Sequence, residues 1–346
     1  MPEKVKVAVL GVGSLGKEHA RIYAAMASLG LVEFAGVYDL EPSLAKKIAQ
    51  QYGVPAFATM DEAAAKAEAL SVVTPTVTHH SIARTLLLQG KHLLIEKPMT
   101  VTTVQAGELV QLAQDRKLVL QVGHVERFNP VFRYLEGVVT EPRFIEVHRL
   151  SPYPARSTDI GVVLDLMIHD LDLILAFVKA PLVALDAVGI PVLSQSEDIA
   201  NARLKFADGC VANLTASRIS PERMRKIRVF SAGARPAYIS LDYRAQEGFI
   251  YRLATGAEKE SSLLKKLMAG PDSTIVSEFA GKRIVREPVP VERDEPLKLE
   301  LRSFVECVAS KGSPVVSGAS AKRALDLAVE ITRLIAQNEQ PAATRA

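Results

Sequence analysis

Cysteine is scarce: Cys210 and Cys307 are the only two in 346 residues. They lie far apart without metal-type spacing, which excludes a disulfide scaffold and fits a reducing, cytoplasmic setting. A surplus of one charge is also missing. Lys and Arg total 42 against 39 Asp and Glu, a formal net charge of +3. Such a chain has no global basic field to attract nucleic acid. No run approaches about eighteen apolar residues, so no membrane span is expected. The opening stretch MPEKVKVAVLGVGSLG is too short in its apolar run, and too broken by glycine, for a secretory leader. A buried first strand accounts for it. Internal repeats and low-complexity tracts are lacking as well.

What is present is globular material, 48% hydrophobic and 23% charged. That is enough for two cores, and the length fits about two domains. Over the first 125 residues, short β-branched runs alternate with helical patterns. Strands are expected at Val5–Leu10, Val32–Tyr38, Ala69–Val73, His92–Ile95 and Val119–Val122. Helices are expected near Leu15–Ser28, Pro42–Tyr52, Ser81–Gln89 and Val101–Asp115. Strands apolar on both faces and separated by helices form a parallel sheet with helices on both sides. After Pro130 the pattern changes. A helix is expected over Val163–Val178, followed by strands at Leu185–Ile190, Ala200–Phe206, Cys210–Ser217, Lys226–Ser231 and Tyr238–Asp242. Neighbouring strands of this kind make a mostly antiparallel sheet. Residues 255–295 are polar and give no assignment, and Leu297–Ala309 and Ala319–Ala336 read as closing helices. The expected domains are therefore 1–125 and 126–346, the junction marked by Gly123, Asn129 and Pro130.

Gly11, Gly13 and Gly16 form GVGSLG directly after an expected strand and before an expected helix. In that setting the motif is a dinucleotide fingerprint. The first glycine permits the turn, the second lets backbone approach a pyrophosphate, and the third lets helix pack on strand. Ser14 and Leu15, between the second and third glycines, join the expected cofactor contacts. Asp39 ends the second strand about twenty residues on, where a carboxylate accepts from ribose hydroxyls. It would repel the extra phosphate of NADP, and Leu40 follows it rather than a cation. NAD is the expected cofactor. The competing readings are an ordinary glycine-rich turn and an aspartate that only caps the helix at Pro42.

At Glu96-Lys97-Pro98, the end of an expected strand, the chain begins to resemble the glucose–fructose oxidoreductase, inositol dehydrogenase and MocA family. Thr74-Pro75, with Thr76 and then His79, resembles the family's loop after its fourth main strand. GHVERFNP at 123–130 resembles its domain junction, and Asp165 with His169 resembles its D-x-x-x-H helix motif. The resemblance covers most of the chain and is weak over 250–295. GHVERFNP and DLMIHDLD are most similar to the bacterial UDP-N-acetylglucosamine 3-dehydrogenase subfamily and its uncharacterised relatives. The resemblance implies a Rossmann dinucleotide-binding domain followed by an α/β domain with a large, mostly antiparallel open sheet, assembled as homodimers or homotetramers. It implies an enzyme that oxidises a secondary ring hydroxyl of a sugar or nucleotide sugar. His169 would be the base, Asp165 its orienting partner, and Lys97 the donor to the reacting oxygen. Thr74, Pro75, Thr76, His79, Glu96 and Lys97 would join the cofactor site, and His124, Arg127 and Asn129 the substrate site. No metal is implied.

Other readings stay open at this point. DLMIHDLD also carries Asp170 and Asp172, which admits a metal cluster, although no second histidine stands at ligand spacing. His19 reads as a packing or hydrogen-bonded histidine. SRISPERMRKIR at 217–228 reads either as a phosphate site or as a charged strand edge. A non-catalytic dinucleotide sensor would share the fold, but it has no need of Lys97, Asp165 and His169 together. Few helices are expected to cover the second domain's sheet, so an apolar face remains for self-association.

Overall fold

The computed structural model describes residues 4–153, 160–233, 236–254, 274–279 and 282–339. Much of the unassigned stretch 255–295, namely 255–273, lies outside the described residues. The chain divides into two compact units.

The first unit is Met1–Phe128 with Glu295–Asp326. Its elements are β1 (Lys6–Leu10), α1 (Gly16–Ser28), β2 (Glu33–Tyr38), α2 (Pro42–Tyr52), α3 (Met60–Lys66), β3 (Ala69–Val72), α4 (Thr76–Leu88), β4 (His92–Glu96), α5 (Thr103–Asp115) and β5 (Leu120–Gly123). The sheet order is β2-β1-β3-β4-β5, and every pairing is parallel. All residues of β3 and β5 are buried, as are all but the first of β1 and β4. Double-sided burial explains why these strands read as unbroken apolar runs. The strand order reverses between β1 and β3, and open α/β sheets bind ligands at such a reversal, outside the carboxyl ends.

Two helices differ from expectation. α3 was not foreseen: it has seven residues, too few to show a period, although the Thr59 hydroxyl caps it by accepting from the Glu62 N–H at 3.1 Å. α4 starts at Thr76 rather than Ser81, because Thr76, Val77 and Thr78 carry β-branched side chains that mask a helical start. The Thr74-Pro75 loop follows the third strand of this sheet, not a fourth.

The first unit extends past residue 125. The 3₁₀ turn Val125–Phe128 belongs to it, and so does a helix from the far end of the chain, Pro296–Ser310. That helix spaces Leu301, Phe304, Val305 and Val308 along one face, and all four enter the core that holds Val7, Val9, Ile22, Tyr23 and Phe34. The apolar stripe explains its return to this unit.

The second unit is Asn129–Asp294 with Leu327–Ala346. It contains α6 (Pro130–Val138), β6 (Pro142–Leu150), a π-helical turn (Val163–Met167), α7 (Ile168–Phe177) and β7 (Leu182–Ile190). Next come β8 (Ile199–Phe206), β9 (Val211–Ser217), β10 (Met224–Ser231), β11 (Ala237–Asp242), β12 (Glu247–Leu253), β13 (Thr274–Phe279) and β14 (Lys282–Pro288). α8 is the helix Pro296–Ser310 described above, and α9 (Gly318–Glu339) begins in the first unit and ends in the second. The sheet order is β13-β14-β12-β11-β10-β6-β9-β8-β7. Among the described residues only β6 with β9 is parallel; the other pairings are antiparallel.

α6, β6, β12, β13 and β14 were not foreseen. In β6 the obstacle is Arg149, which sits at an inward position yet is only 3% exposed. Its guanidinium donates two hydrogen bonds of 2.8 Å to the Asp170 carboxylate on α7, a bidentate pair that lets the charge be buried. β10 is an interior strand, not an edge, so the charged-edge reading of 217–228 is corrected. Lys226 and Arg228 instead face acids on the flanking strands, Asp242 at 3.8 Å and Glu146 at 3.5 Å. Arg218 is fully buried and donates to Asp198 at 2.7 Å, to the Ile160 carbonyl at 2.6 Å and to the Ser194 hydroxyl at 2.7 Å. It is an internal staple, which removes it from any phosphate site. Burial alone would raise the Asp198 carboxyl. Backbone donors from Leu193, Val192 and Ser194, together with Arg218, hold it well below the usual carboxylate range.

On one face of this sheet, Phe144, Phe230, Tyr238 and Tyr251 form a ladder across β6, β10, β11 and β12, with ring centroids 5.6, 4.7 and 5.2 Å apart. Alternate residues on the other face, such as Ile145, Val147, Ile227, Val229, Ile239 and Leu241, are buried.

Candidate active site

The carboxyl ends of the first unit's strands carry most of the expected cofactor residues. Gly11 follows β1, Asp39 follows β2, Thr74 follows β3, Glu96 ends β4 and leads into Lys97, and His124 follows β5. Each glycine of the first motif meets a different constraint. Gly11 has φ +84°, and a Cβ there would lie 2.5 Å from the Val73 carbonyl oxygen. A Cβ on Gly16 would lie 1.8 Å from the Gly11 carbonyl oxygen. Both glycines are required by the fold itself. Gly13 is different: a Cβ there would meet nothing within 4 Å. The space beside it is not needed by the protein, and it lies at the amino end of α1, where backbone N–H groups favour an anion. A dinucleotide pyrophosphate fits this cradle. Ser14 and Leu15 are exposed beside it.

Asp39 is half-buried, and its carboxylate is held from two sides. One oxygen accepts from the Val12 N–H at 2.7 Å, the other from the Glu41 N–H at 2.9 Å. The helix at Pro42 receives no side-chain cap from its N-cap residue. Asp39 therefore locks the glycine loop to the start of α2, and each oxygen keeps a lone pair for a ribose hydroxyl. Leu40 beside it is 84% exposed.

Thr74 and Thr76 are half-buried and Pro75 is exposed. The Thr78 hydroxyl bonds the Thr74 hydroxyl oxygen at 2.8 Å. His79 is 1% exposed. Its Nδ1 lies 2.9 Å from the Pro98 carbonyl oxygen and its Nε2 2.8 Å from that of Thr74. Burial pushes the ring's pKa below the usual imidazole value, and the two carbonyls oppose this. A neutral ring has one N–H, so His79 donates to one of the two carbonyls at a time, and its surroundings are the main chain of the two loops. Glu96 is 8% exposed. One oxygen faces His19 Nε2 at 3.1 Å, and the other accepts from the Lys97 N–H at 3.3 Å. Its carboxylate is thus committed to framework, with the Lys97 side chain half-buried beside it. The sequence reading of His19 as a packing or hydrogen-bonded histidine agrees with its burial against Glu96. The signal that exposes its partner is Gly123, where a Cβ would lie 2.7 Å from the Glu96 carboxylate.

At the junction, His124 is 2% exposed and Arg127 half-buried. Asn129, expected at the substrate site, also has a framework role. It is 1% exposed, its Oδ1 accepts from the Val131 N–H to cap α6, and its Nδ2 donates to the Tyr243 carbonyl at 3.0 Å.

In the second unit the expected regular helix opens with a π-helical turn at Val163–Met167. Asp165 lies in that turn and His169 lies one residue into α7; both are half-buried. A π turn is wider than an α turn and recurs at functional sites. Glu197 holds its start. The Glu197 carbonyl accepts from the Val162 N–H at 2.9 Å and its carboxylate from the Val163 N–H at 3.2 Å. Gly161 makes that approach possible, since a Cβ would lie 1.9 Å from Glu197 Oε1. Asp170, weighed above as a metal ligand, is spent on Arg149. Among the described residues no group of three or more His, Cys, Asp or Glu is arranged to hold a metal, and no helix is long and apolar enough to cross a membrane.

Comparison with known proteins agrees with this architecture. Residues 5–124 match the model of an oxidoreductase family with an NAD-binding Rossmann fold, and residues 134–234 match a GFO/IDH/MocA C-terminal domain. The chain is 35% identical to the UDP-N-acetylglucosamine 3-dehydrogenase of Acidithiobacillus ferrooxidans over 94% of its own length and 96% of that protein's. A solved structure of that enzyme superposes with a TM-score of 0.83 at 32% identity, covering 98% of this chain and 100% of that one. The scyllo-inositol 2-dehydrogenase (NAD(+)) of Bacillus subtilis is 24% identical over 96% of this chain and 94% of its own.

The glycines separate cofactor from fold. Gly13→Ala is expected to keep the wild-type melting temperature and to lose most dinucleotide affinity, because the added methyl occupies only the open cradle. Gly16→Ala is expected to lower the melting temperature itself, since the new Cβ overlaps backbone. Thermal unfolding with and without dinucleotide checks both, and wild-type binding by Gly13→Ala would count against the cradle.

Proposed function

The chain belongs to the GFO/IDH/MocA oxidoreductase family, and we propose that it is an NAD-dependent dehydrogenase oxidising the 3-hydroxyl of UDP-N-acetylglucosamine. The observation that carries the substrate is the end-to-end match to a relative of that activity, 35% identical over 94% of this chain. In this reading the first unit binds the dinucleotide, while the second binds the sugar and pairs with other copies.

NAD, when bound, supplies the hydride acceptor. The chain supplies the rest. His169 takes the hydroxyl proton, a task suited to an imidazole titrating near neutrality. Asp165, four residues earlier, orients that imidazole. Lys97 donates to the reacting oxygen and stabilises its developing charge. NAD is preferred to NADP because the Asp39 carboxylate, fixed by Val12 and Glu41, repels an added phosphate and no cation follows it. The aromatic ladder from Phe144 to Tyr251 lies on a sheet face with Val188 and Ile190 exposed at the β7 edge. A second copy of the chain is the proposed cover for that face, giving a homodimer or homotetramer.

Assays coupled to NAD reduction, with UDP-N-acetylglucosamine, inositols and free sugars side by side, are expected to give the highest kcat/KM with the nucleotide sugar. Calorimetry is expected to give several-fold tighter NAD than NADP binding. A preference for inositol, or for NADP, would redirect the reading within the family.

His169→Asn is expected to fold and bind NAD, yet lose about 10²–10⁴-fold in turnover. The residual rate should no longer follow a basic group of near-neutral pKa. Retained rate and pH profile with reduced thermal stability would make His169 a core residue.

Light scattering at micromolar concentration is expected to show at least a dimer; a monomer would leave the aromatic face without its proposed cover.

A further inference from the structure

We propose that two buried histidines, His19 and His79, are positioning residues that clamp the turn carrying Lys97 from its two sides. The inference rests on the reading of Lys97 as a catalytic residue and goes beyond it to what holds that lysine in place.

The clamp is built from the residues that flank Lys97. On one side stands Glu96, whose carboxylate joins His19 Nε2 at 3.1 Å to the Lys97 backbone N–H at 3.3 Å. His19 is fully buried on α1 and the Glu96 side chain is 11% exposed. Gly123 completes this half, because any side chain there would displace the carboxylate. On the other side stands Pro98, whose carbonyl oxygen lies 2.9 Å from His79 Nδ1. The opposite nitrogen of the same ring reaches the Thr74 carbonyl at 2.8 Å. His79 is 1% exposed on α4. Neither histidine can touch a substrate from these positions. Each instead bonds an atom of a residue next to Lys97, His19 the Glu96 carboxylate and His79 the Pro98 carbonyl.

The two halves come from the two cofactor loops. α1 is the helix that the glycine motif opens, and α4 is the helix that follows Thr74-Pro75. A lysine is a flexible point charge on a four-carbon stem with many rotamers. Its usefulness depends on where its backbone is anchored, since a shift of about 1 Å can cost roughly 10²-fold in rate. Anchoring both neighbours of Lys97 to the cofactor loops refers the lysine to the same frame as the nicotinamide carrier. Plain core packing predicts something else. In that case replacing either histidine lowers stability, a donor-bearing substitute restores nothing in particular, and kcat is left alone.

The experiment compares His19→Leu, His19→Gln, His79→Leu and His79→Gln with Lys97→Met, assayed with NAD and UDP-N-acetylglucosamine. Hydrogen exchange over Glu96–Thr100 is the second readout. The Leu variants are expected to lose about 10–100-fold in kcat, with KM and NAD affinity nearly unchanged, and to exchange the Lys97 amide faster. The Gln variants keep a side-chain N–H donor and are expected to recover most of the rate and protection. Where a Leu variant does not fold, Asn takes its place: it is polar but too short to span the same partners, and the same drop is expected. Wild-type kcat and exchange in the Leu or Asn variants would overturn the clamp. So would a loss confined to thermal stability that Gln does not restore. Full turnover by Lys97→Met would overturn the catalytic reading instead, and the exchange at the Lys97 turn would still decide the clamp.

Discussion

The close approach of α1 to the end of β1 is the constraint on which the rest of the first unit depends. At Gly16 the helix lies so near the Gly11 carbonyl that no side chain fits between them. Once that contact is made, the direction of α1 is set. The amino end of the helix then faces the open space at Gly13, and the third residue after Gly16, His19, reaches the end of β4. Asp39 ties the same loop to α2 through the Val12 amide. A glycine required for packing thus fixes both an anion-binding helix end and a buried acid–histidine pair.

The second unit solves a related problem with charge. In the proposed site its helical segment presents Asp165 and His169 among buried apolar side chains such as Met167, Ile168 and Leu171. Two ion pairs hold the surroundings in place. Arg149 with Asp170 pins α7 to β6, and Arg218 with Asp198 pins the loop that brings Glu197 to the start of the π turn. Both pairs are almost wholly removed from water; Arg149 and Asp170 meet in a bidentate pair, and Arg218 with Asp198 adds backbone and hydroxyl partners.

Much of the first unit was legible because its signals are local. Glycine spacing, an aspartate at a strand end and apolar runs between helices all act within a few residues. The residues missed or misread were those whose role depends on distant partners. Arg149 looks like a break in a strand until Asp170 is placed beside it. Arg218 looks like a surface cation until Asp198 is found. α8 shows its apolar stripe in the sequence, yet nothing local reveals that the stripe is buried against α1 and β1 rather than near its neighbours in the chain. The π turn was invisible for the same reason, since its first amides are held by Glu197, more than thirty residues away.

The nine-stranded sheet carries a consequence for how the chain folds. β9 and β10 are joined by only a few residues, yet they do not pair; β6 lies between them. β7-β8-β9 and β10-β11-β12 are each meanders of short-range hairpins, quick to form because little loop entropy is lost. Each meander alone ends in a bare edge, one at β9 and one at β10. β6 arrives from some sixty residues upstream of β9, bonds both edges at once, and pairs in parallel with β9. Its insertion is the non-local step, and until it happens two sticky edges coexist in one nascent domain. A chain slowed at that step exposes those edges to other molecules, so the assembly of this unit is most vulnerable to aggregation at β6.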